Sequence, residues 1–235
     1  MFAEAIESYL QEFKLSIIFG VLLVFVLFFM MFSINFISSG SIFFEFNLKQ
    51  IDFASLLVIA IVSFIFIALY SLFITLVIFN AKQHARIATF YLEDKIRGFI
   101  AKNIIFYVLL ILISALIAIA LLSMQFNPMA VSIILLIFNL LFFFVPQAII
   151  IDERSIGESL AKNFDFIISR FPTFIVVILI ACILLSFIPL IEFAFDFVYF
   201  TGKYISIIFT LIFLIPFIEI LKTKAYINKF DLLKF

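Results

Sequence analysis

"SIGESLAKNFDFIISRF", Ser155 to Phe171, interrupts a chain that is otherwise mostly hydrocarbon. Charge returns every few positions, while Leu160, Phe164, Ile167, Ile168 and Phe171 recur at spacings of three and four. That is the periodicity of a helix with one apolar face. Ser155 and Glu158 have the spacing of a capping box, and Arg170 suits the negative end of the helix dipole. Pro172 disfavours helix at Phe171, so the chain can turn there. The segment is too charged to span a bilayer and too regularly apolar along one face to be a free loop. It is expected to lie in the membrane interface. The five apolar residues would be buried against acyl chains or helix ends, with Glu158, Lys162, Asp165 and Ser169 toward water. Phe166 falls outside the apolar arc.

Working outward, apolar runs flank this segment on both sides. The 235 residues are 67% hydrophobic and 13% charged, with mean hydropathy +1.39, whereas a soluble domain is nearer half apolar and a quarter charged. Six runs are long enough to cross: Leu15–Ser39, Phe53–Phe79, Ile104–Met124, Met129–Ile151, Thr173–Ile191 and Tyr204–Leu221. Even the shortest covers roughly 27 Å at the helical rise per residue, close to a hydrocarbon thickness. No alternating pattern runs through them, which excludes a β-barrel. The first run follows Glu4, Glu7 and Glu12 and is too long for a signal peptide, so it reads as a retained membrane helix. The fold class is therefore all-α: one integral membrane domain over residues 1–235, six transmembrane helices with amphipathic interfacial helices.

Thirteen of the 15 Lys and Arg residues fall in connections on one side, leaving Lys49 and Lys203 on the other. The asymmetry predicts a multi-pass protein of the cell membrane with both termini cytoplasmic. The segment at 155–171 also has relatives. Phe2, Ala5, Ile6, Tyr9, Leu10 and Phe13 share a face before the first crossing, as do Ile87, Ala88, Tyr91, Leu92 and Phe99 before the third. Three amphipathic segments, each before a pair of crossings, suggest a threefold repeat with units 1–80, 81–151 and 152–235. In the second segment Lys95 interrupts the apolar arc.

Residues 146–180, "PQAIIIDERSIGESLAKNFDFIISRFPTFIVVILI", carry a recognisable pattern. A proline ends one crossing, an aliphatic run leads to an acidic residue, and a helix with an Asn163-Phe164 pair leads into the next crossing. This resembles a broad family of six-helix prokaryotic membrane proteins, similar to the membrane domain fused to some glycerophosphodiester phosphodiesterases. That family more often has Ser-Trp at the Asn163-Phe164 position. The resemblance implies a fold and carries over no catalytic residue, because the phosphodiesterase chemistry belongs to a separate soluble domain.

Chemistry is sparse. The sequence has no Gly-rich phosphate loop, HExxH, GxSxG or CxxC, so no catalytic, cofactor-binding or metal site is assigned and no cofactor is expected. A single Cys (Cys182) and a single His (His84) give no disulfide framework or ligand cluster, and zero net charge gives no reason to expect nucleic acid. Cys182 reads as a small packing residue. Glu219, three residues before Lys222, reads as an interfacial ion pair. Tyr70 and Asn139 are uncharged polar groups near mid-depth. Each needs a hydrogen-bond partner away from lipid, as packing glue or as the lining of a path. Pro146 and Pro216 read as kinks or as sources of free carbonyls. The outer acids Glu45, Asp52, Glu192 and Asp196 could share a cation only where their loops converge. The expected function is a non-enzymatic scaffold or accessory subunit, its partners the lipid bilayer and other membrane proteins or further copies of itself. The alternatives are a small-solute transporter or channel, and a lipid-modifying enzyme using Glu219 or His84.

Overall fold

A computed structural model describes residues 2–11, 13–31, 36–38, 44–46, 53–84, 92–199 and 202–228. In chain order the elements are α1 (Phe2–Gln11), α2 (Phe13–Met31), β1 (Phe36–Ser38), β2 (Phe44–Phe46), α3 (Phe53–His84), α4 (Leu92–Ser123) and α5 (Pro128–Leu140). They continue with α6 (Val145–Ile151), α7 (Ile156–Ser169), α8 (Phe171–Tyr199), α9 (Gly202–Phe209), a π-helical turn (Thr210–Leu214) and α10 (Ile215–Ile227). Five spans are long and apolar enough to cross a membrane, with α5–α6 and α9–α10 each counted as one. A sixth is added when α1 and α2, which meet at 73°, are taken together. The molecule is an all-helical membrane bundle, as its apolar runs require: only internally hydrogen-bonded backbone is stable in hydrocarbon.

Several boundaries differ from the sequence reading. The first membrane helix is described as far as Met31 and does not reach Ser39: Phe36–Ser38 pairs antiparallel with Phe44–Phe46, Ile37 opposite Glu45, and residues 32–35 lie outside the described residues. Hydropathy alone cannot see this, because an apolar β-branched and aromatic stretch serves strand as well as helix. The second amphipathic segment is not a separate helix. Its described part, from Leu92, runs unbroken into α4, and residues 85–91 lie outside the described residues. The fourth crossing is broken at Leu141–Phe144 and the sixth contains the π turn.

Three helical hairpins make the bundle: α2 with α3, α4 with α5–α6, and α8 with α9–α10. Their second arms, α3, α6 and α10, pack on one another. That meeting point holds the main core, where Phe144, Ile149, Ile150, Leu221 and Tyr226 are fully enclosed. The helix before each hairpin packs on the second arm of another: α1 on α10, the start of α4 on α3, and α7 on α6. α2 fits tightly against the π turn, because Gly20 has no side chain: a Cβ there would sit 2.9 Å from the Ile212 Cα. Gly202, which starts α9, lies against the Glu192 carbonyl with no room for a Cβ, and its N–H donates to Asp196 Oδ1 at 2.7 Å. Asp196 thus caps α9 and serves the fold, while Glu45 and Asp52 have no described side chains.

The segment at 155–171 is a helix, with Ser155 Oγ accepting from the Glu158 N–H at 3.3 Å. Glu158 pairs with Arg154 (3.6 Å). The five expected residues do not all face one surface. Ile167 is buried and Leu160 packs on the core, but Phe164, Phe171 and Ile168 are 37%, 54% and 78% exposed. The enclosed face is instead Ser159, Asn163, Phe166 and Ile167. Phe166, outside the apolar arc, is the anchor, its ring 4.7 Å from Phe144 and 4.9 Å from Tyr226. At about 100° per residue, α7 divides into three faces. One carries Phe166, Asn163 and Ile167 toward protein, one carries Phe164 and Ile168 outward, and one carries Glu158, Lys162 and Asp165, while Phe171 is exposed at the start of α8. A two-faced reading put Ile167 with Phe164 and Ile168, because all three are apolar, and left Phe166 out.

Candidate functional site at the meeting of the three hairpins

Two prolines set the site. Pro146 has no N–H, and before it the chain tightens into i+3 turns: Phe143 N–H donates to Leu140 O and Val145 N–H to Phe142 O, each at 3.2 Å. This strands the Phe144 N–H and the Leu141 carbonyl. Asn163 of α7 satisfies both, its Oδ1 accepting from Phe144 N at 3.0 Å and its Nδ2 donating to Leu141 O at 2.6 Å. Pro216 likewise deprives Ile212 O of its usual donor. The Tyr9 hydroxyl of α1 donates to it at 3.3 Å, and the π turn closes through Ile215 N–H to Thr210 O. Asn103 of α4 makes the third such link, its Nδ2 donating to Thr75 Oγ1 of α3 at 2.9 Å. Each hairpin's second arm is therefore held by one polar side chain from the helix that leads into another hairpin.

Just past the two prolines stand Gln147 and Glu219, and they meet. Gln147 Nε2 donates to Glu219 Oε2 at 3.2 Å. Lys222 Nζ donates to Glu219 Oε1 at 2.8 Å and to Oε2 at 3.0 Å, with its ammonium 4.2 Å from the Phe143 ring centroid. The Tyr70 hydroxyl, from α3, reaches Glu219 Oε1 at 3.5 Å, and its ring lies 5.4 Å from that of Tyr107 on α4. Tyr70, Gln147 and Glu219 thus contribute one polar group from each hairpin. Glu219 and Lys222 do pair, and protein encloses the pair (5% and 4% exposed). The sequence shows i,i+3 spacing and cannot show that two other hairpins close over it.

Nearer the lysine-rich end, the α6–α7 connection is tied down from three sides. Lys82 of α3, itself buried, donates to Ile150 O (3.2 Å) and Glu153 Oε1 (2.9 Å). Lys95 of α4 donates to Glu153 Oε2 at 2.7 Å, and Tyr226 of α10 donates to Asp152 Oδ2 at 2.7 Å. Glu153 holds φ 56°, a left-handed conformation uncommon for its type. Partial burial raises its carboxyl, but the hydrogen bonds and charges of Lys95 and Lys82 outweigh that and hold it below the usual carboxylate value.

Of the two sequence-predicted mid-depth groups, Tyr70 joins the central cluster and Asn139 does not. Asn139 Nδ2 donates to Leu135 O of its own helix (2.8 Å), with Ser114 Oγ of α4 at 3.5 Å, so it ties α5 to α4. Cys182 is exposed on α8 and not a packing residue; the side chain of His84 lies outside the described set. Sequence reasoning passed over Asn103 and Gln147, and met Asn163 only as half of the Asn163-Phe164 pair, with no structural role. One signal was available: Ala101-Lys102-Asn103 and Ala161-Lys162-Asn163 repeat the same tripeptide, and both asparagines clamp a neighbouring hairpin. Among the described residues no group of three or more His, Cys, Asp and Glu could hold a metal ion. No protein-family model, curated protein or solved structure matches the chain.

Proposed function

We propose that this is a non-enzymatic scaffold or accessory subunit of the cytoplasmic membrane, with both termini on the cytoplasmic side. One observation carries the reading: the ionised pair inside the bundle is spent on the bundle itself. Glu219, Lys222, Gln147 and Tyr70 tie the hairpins together, and a buried pair answered from three hairpins holds a unique arrangement. The orientation rests on the 13 basic residues gathered in the connections of one side. The likeness of residues 146–180 to the six-helix family agrees with this reading. We also propose that units 1–80, 81–151 and 152–235 are related repeats, supported by the cyclic use of Tyr9, Asn103 and Asn163.

The test is reconstitution of the purified chain in liposomes. The scaffold reading expects neither solute flux above that of protein-free vesicles nor lipid headgroup turnover. A carrier is the second reading, favoured by the helix breaks beside Gln147 and Glu219, since transporters build their sites at broken helices between repeats. Solute-specific flux abolished by Glu219→Gln would replace the first reading with the second.

A further inference from the structure

We propose that the central cluster is a site for a monovalent cation or primary ammonium group, occupied in this structure by the chain's own Lys222. The proposal deepens the account of the cluster on which the scaffold reading rests, and its test is distinct: cation-dependent stability is read here and solute flux there. The surroundings of the Lys222 ammonium are those that recognise such a cation: two carboxylate oxygens at 2.8 and 3.0 Å and an aromatic face at 4.2 Å. A second observation points to a ligand independently. Gln147 is fully buried, its Nε2 is fixed on Glu219, and its Oε1 has no hydrogen-bond partner among the described residues. A buried acceptor left open beside a carboxylate asks for a donor or a cation.

Lys222 stands in the middle of α10 and is itself enclosed, so an external cation takes the site only where Lys222 is displaced or replaced. Tyr70 and Tyr107 are part-buried beside the cluster, and between Phe106 and Phe144 only Val131 is buried, so the α4–α5 hairpin is the least covered part of the bundle around it. Lys222 is then an internal plug: the site binds an external cation to the extent that Lys222 leaves it.

The experiment measures thermal unfolding of the full-length protein in nanodiscs. The probes are sodium, potassium and n-propylammonium chloride, with tetraethylammonium chloride, too bulky for the site, as the ionic-strength control. Lys222→Met keeps the packing volume but removes the plug. Its midpoint should rise by about 5 °C or more with saturating sodium or potassium over the control. The Lys222→Met, Glu219→Gln double variant should show no rise, and the wild type a smaller one. Lys222→Ala leaves a gap the size of the lost side chain, which n-propylammonium should fill, again only with Glu219 present. Equal responses of the single and double variants would overturn the proposal, leaving the pair as an internal bond only. Failure of both single variants to yield folded protein in any of the salts would overturn it too.

Discussion

Asn163 shows how much one side chain can carry. It serves two main-chain groups that the helix break leaves buried, and each orphaned group costs about 1–3 kcal/mol. Asn163→Leu is therefore expected to destabilise by about 2–6 kcal/mol, twice the cost of one orphaned group, measured by unfolding in detergent. Asn139→Leu, at a residue that mostly bonds its own helix, should cost under about 1 kcal/mol. Equal losses would refute the assignment of Asn163 as a clamp. Glu153 offers a pH test. Its folded carboxyl titrates below its unfolded value, so the stability it adds is fully present above the unfolded value and is lost as pH falls through the folded one. The α6–α7 connection should be insensitive to pH through the neutral range and loosen only under acid, read as faster hydrogen exchange at residues 152–155. Glu153→Gln should remove that acid step. It should also cost about 1–3 kcal/mol, because the buried Lys82 then faces a neutral amide in place of a carboxylate.

For α7, the three faces make separable predictions. Phe166→Ala cuts into the aromatic packing with Phe144 and Tyr226 and should cost about 3–5 kcal/mol. Ile168→Ser, on the exposed face, should leave the unfolding midpoint nearly unchanged while weakening contact with lipid. Spin labels should separate the faces: 158, 162 and 165 accessible to a water-soluble quencher, 164 and 168 to oxygen in the bilayer, 163 and 166 to neither. Water access at 164 and 168 equal to that at 162 would mean that α7 does not lie in the membrane interface. Elsewhere, Gly20→Leu must push α2 off the π turn. Its damage should appear as exchange in α9 and α10 as well as α2.

At the scale of the whole molecule, the ring of contacts closes through Tyr9, which joins the first helix to the last span. Removing residues 2–11 should therefore raise hydrogen exchange in α10 more than in α8, although neither adjoins α1 in sequence. The proposed orientation is checked by cysteine labelling in intact cells. Position 127 should react with an impermeant reagent and position 157 should not, and the reverse pattern would invert the topology.

The bundle was legible from the chain itself because long apolar runs have few alternatives. Backbone buried in hydrocarbon must satisfy its own hydrogen bonds, so run length and charge asymmetry go far toward fixing spans. Caps such as Ser155 are equally local. The site was not legible, and the reason is the solvent. In water an apolar stripe marks the face that meets protein, but lipid tails are as apolar as leucine, so the stripe on α7 could not distinguish Ile167, which meets protein, from Ile168, which does not. Glu219 with Lys222 could be read as a pair but not as the centre of the molecule. Tertiary structure alone decided that, because Gln147 and Tyr70 lie 72 and 149 residues away, and Tyr9 lies 203 residues from the carbonyl it completes.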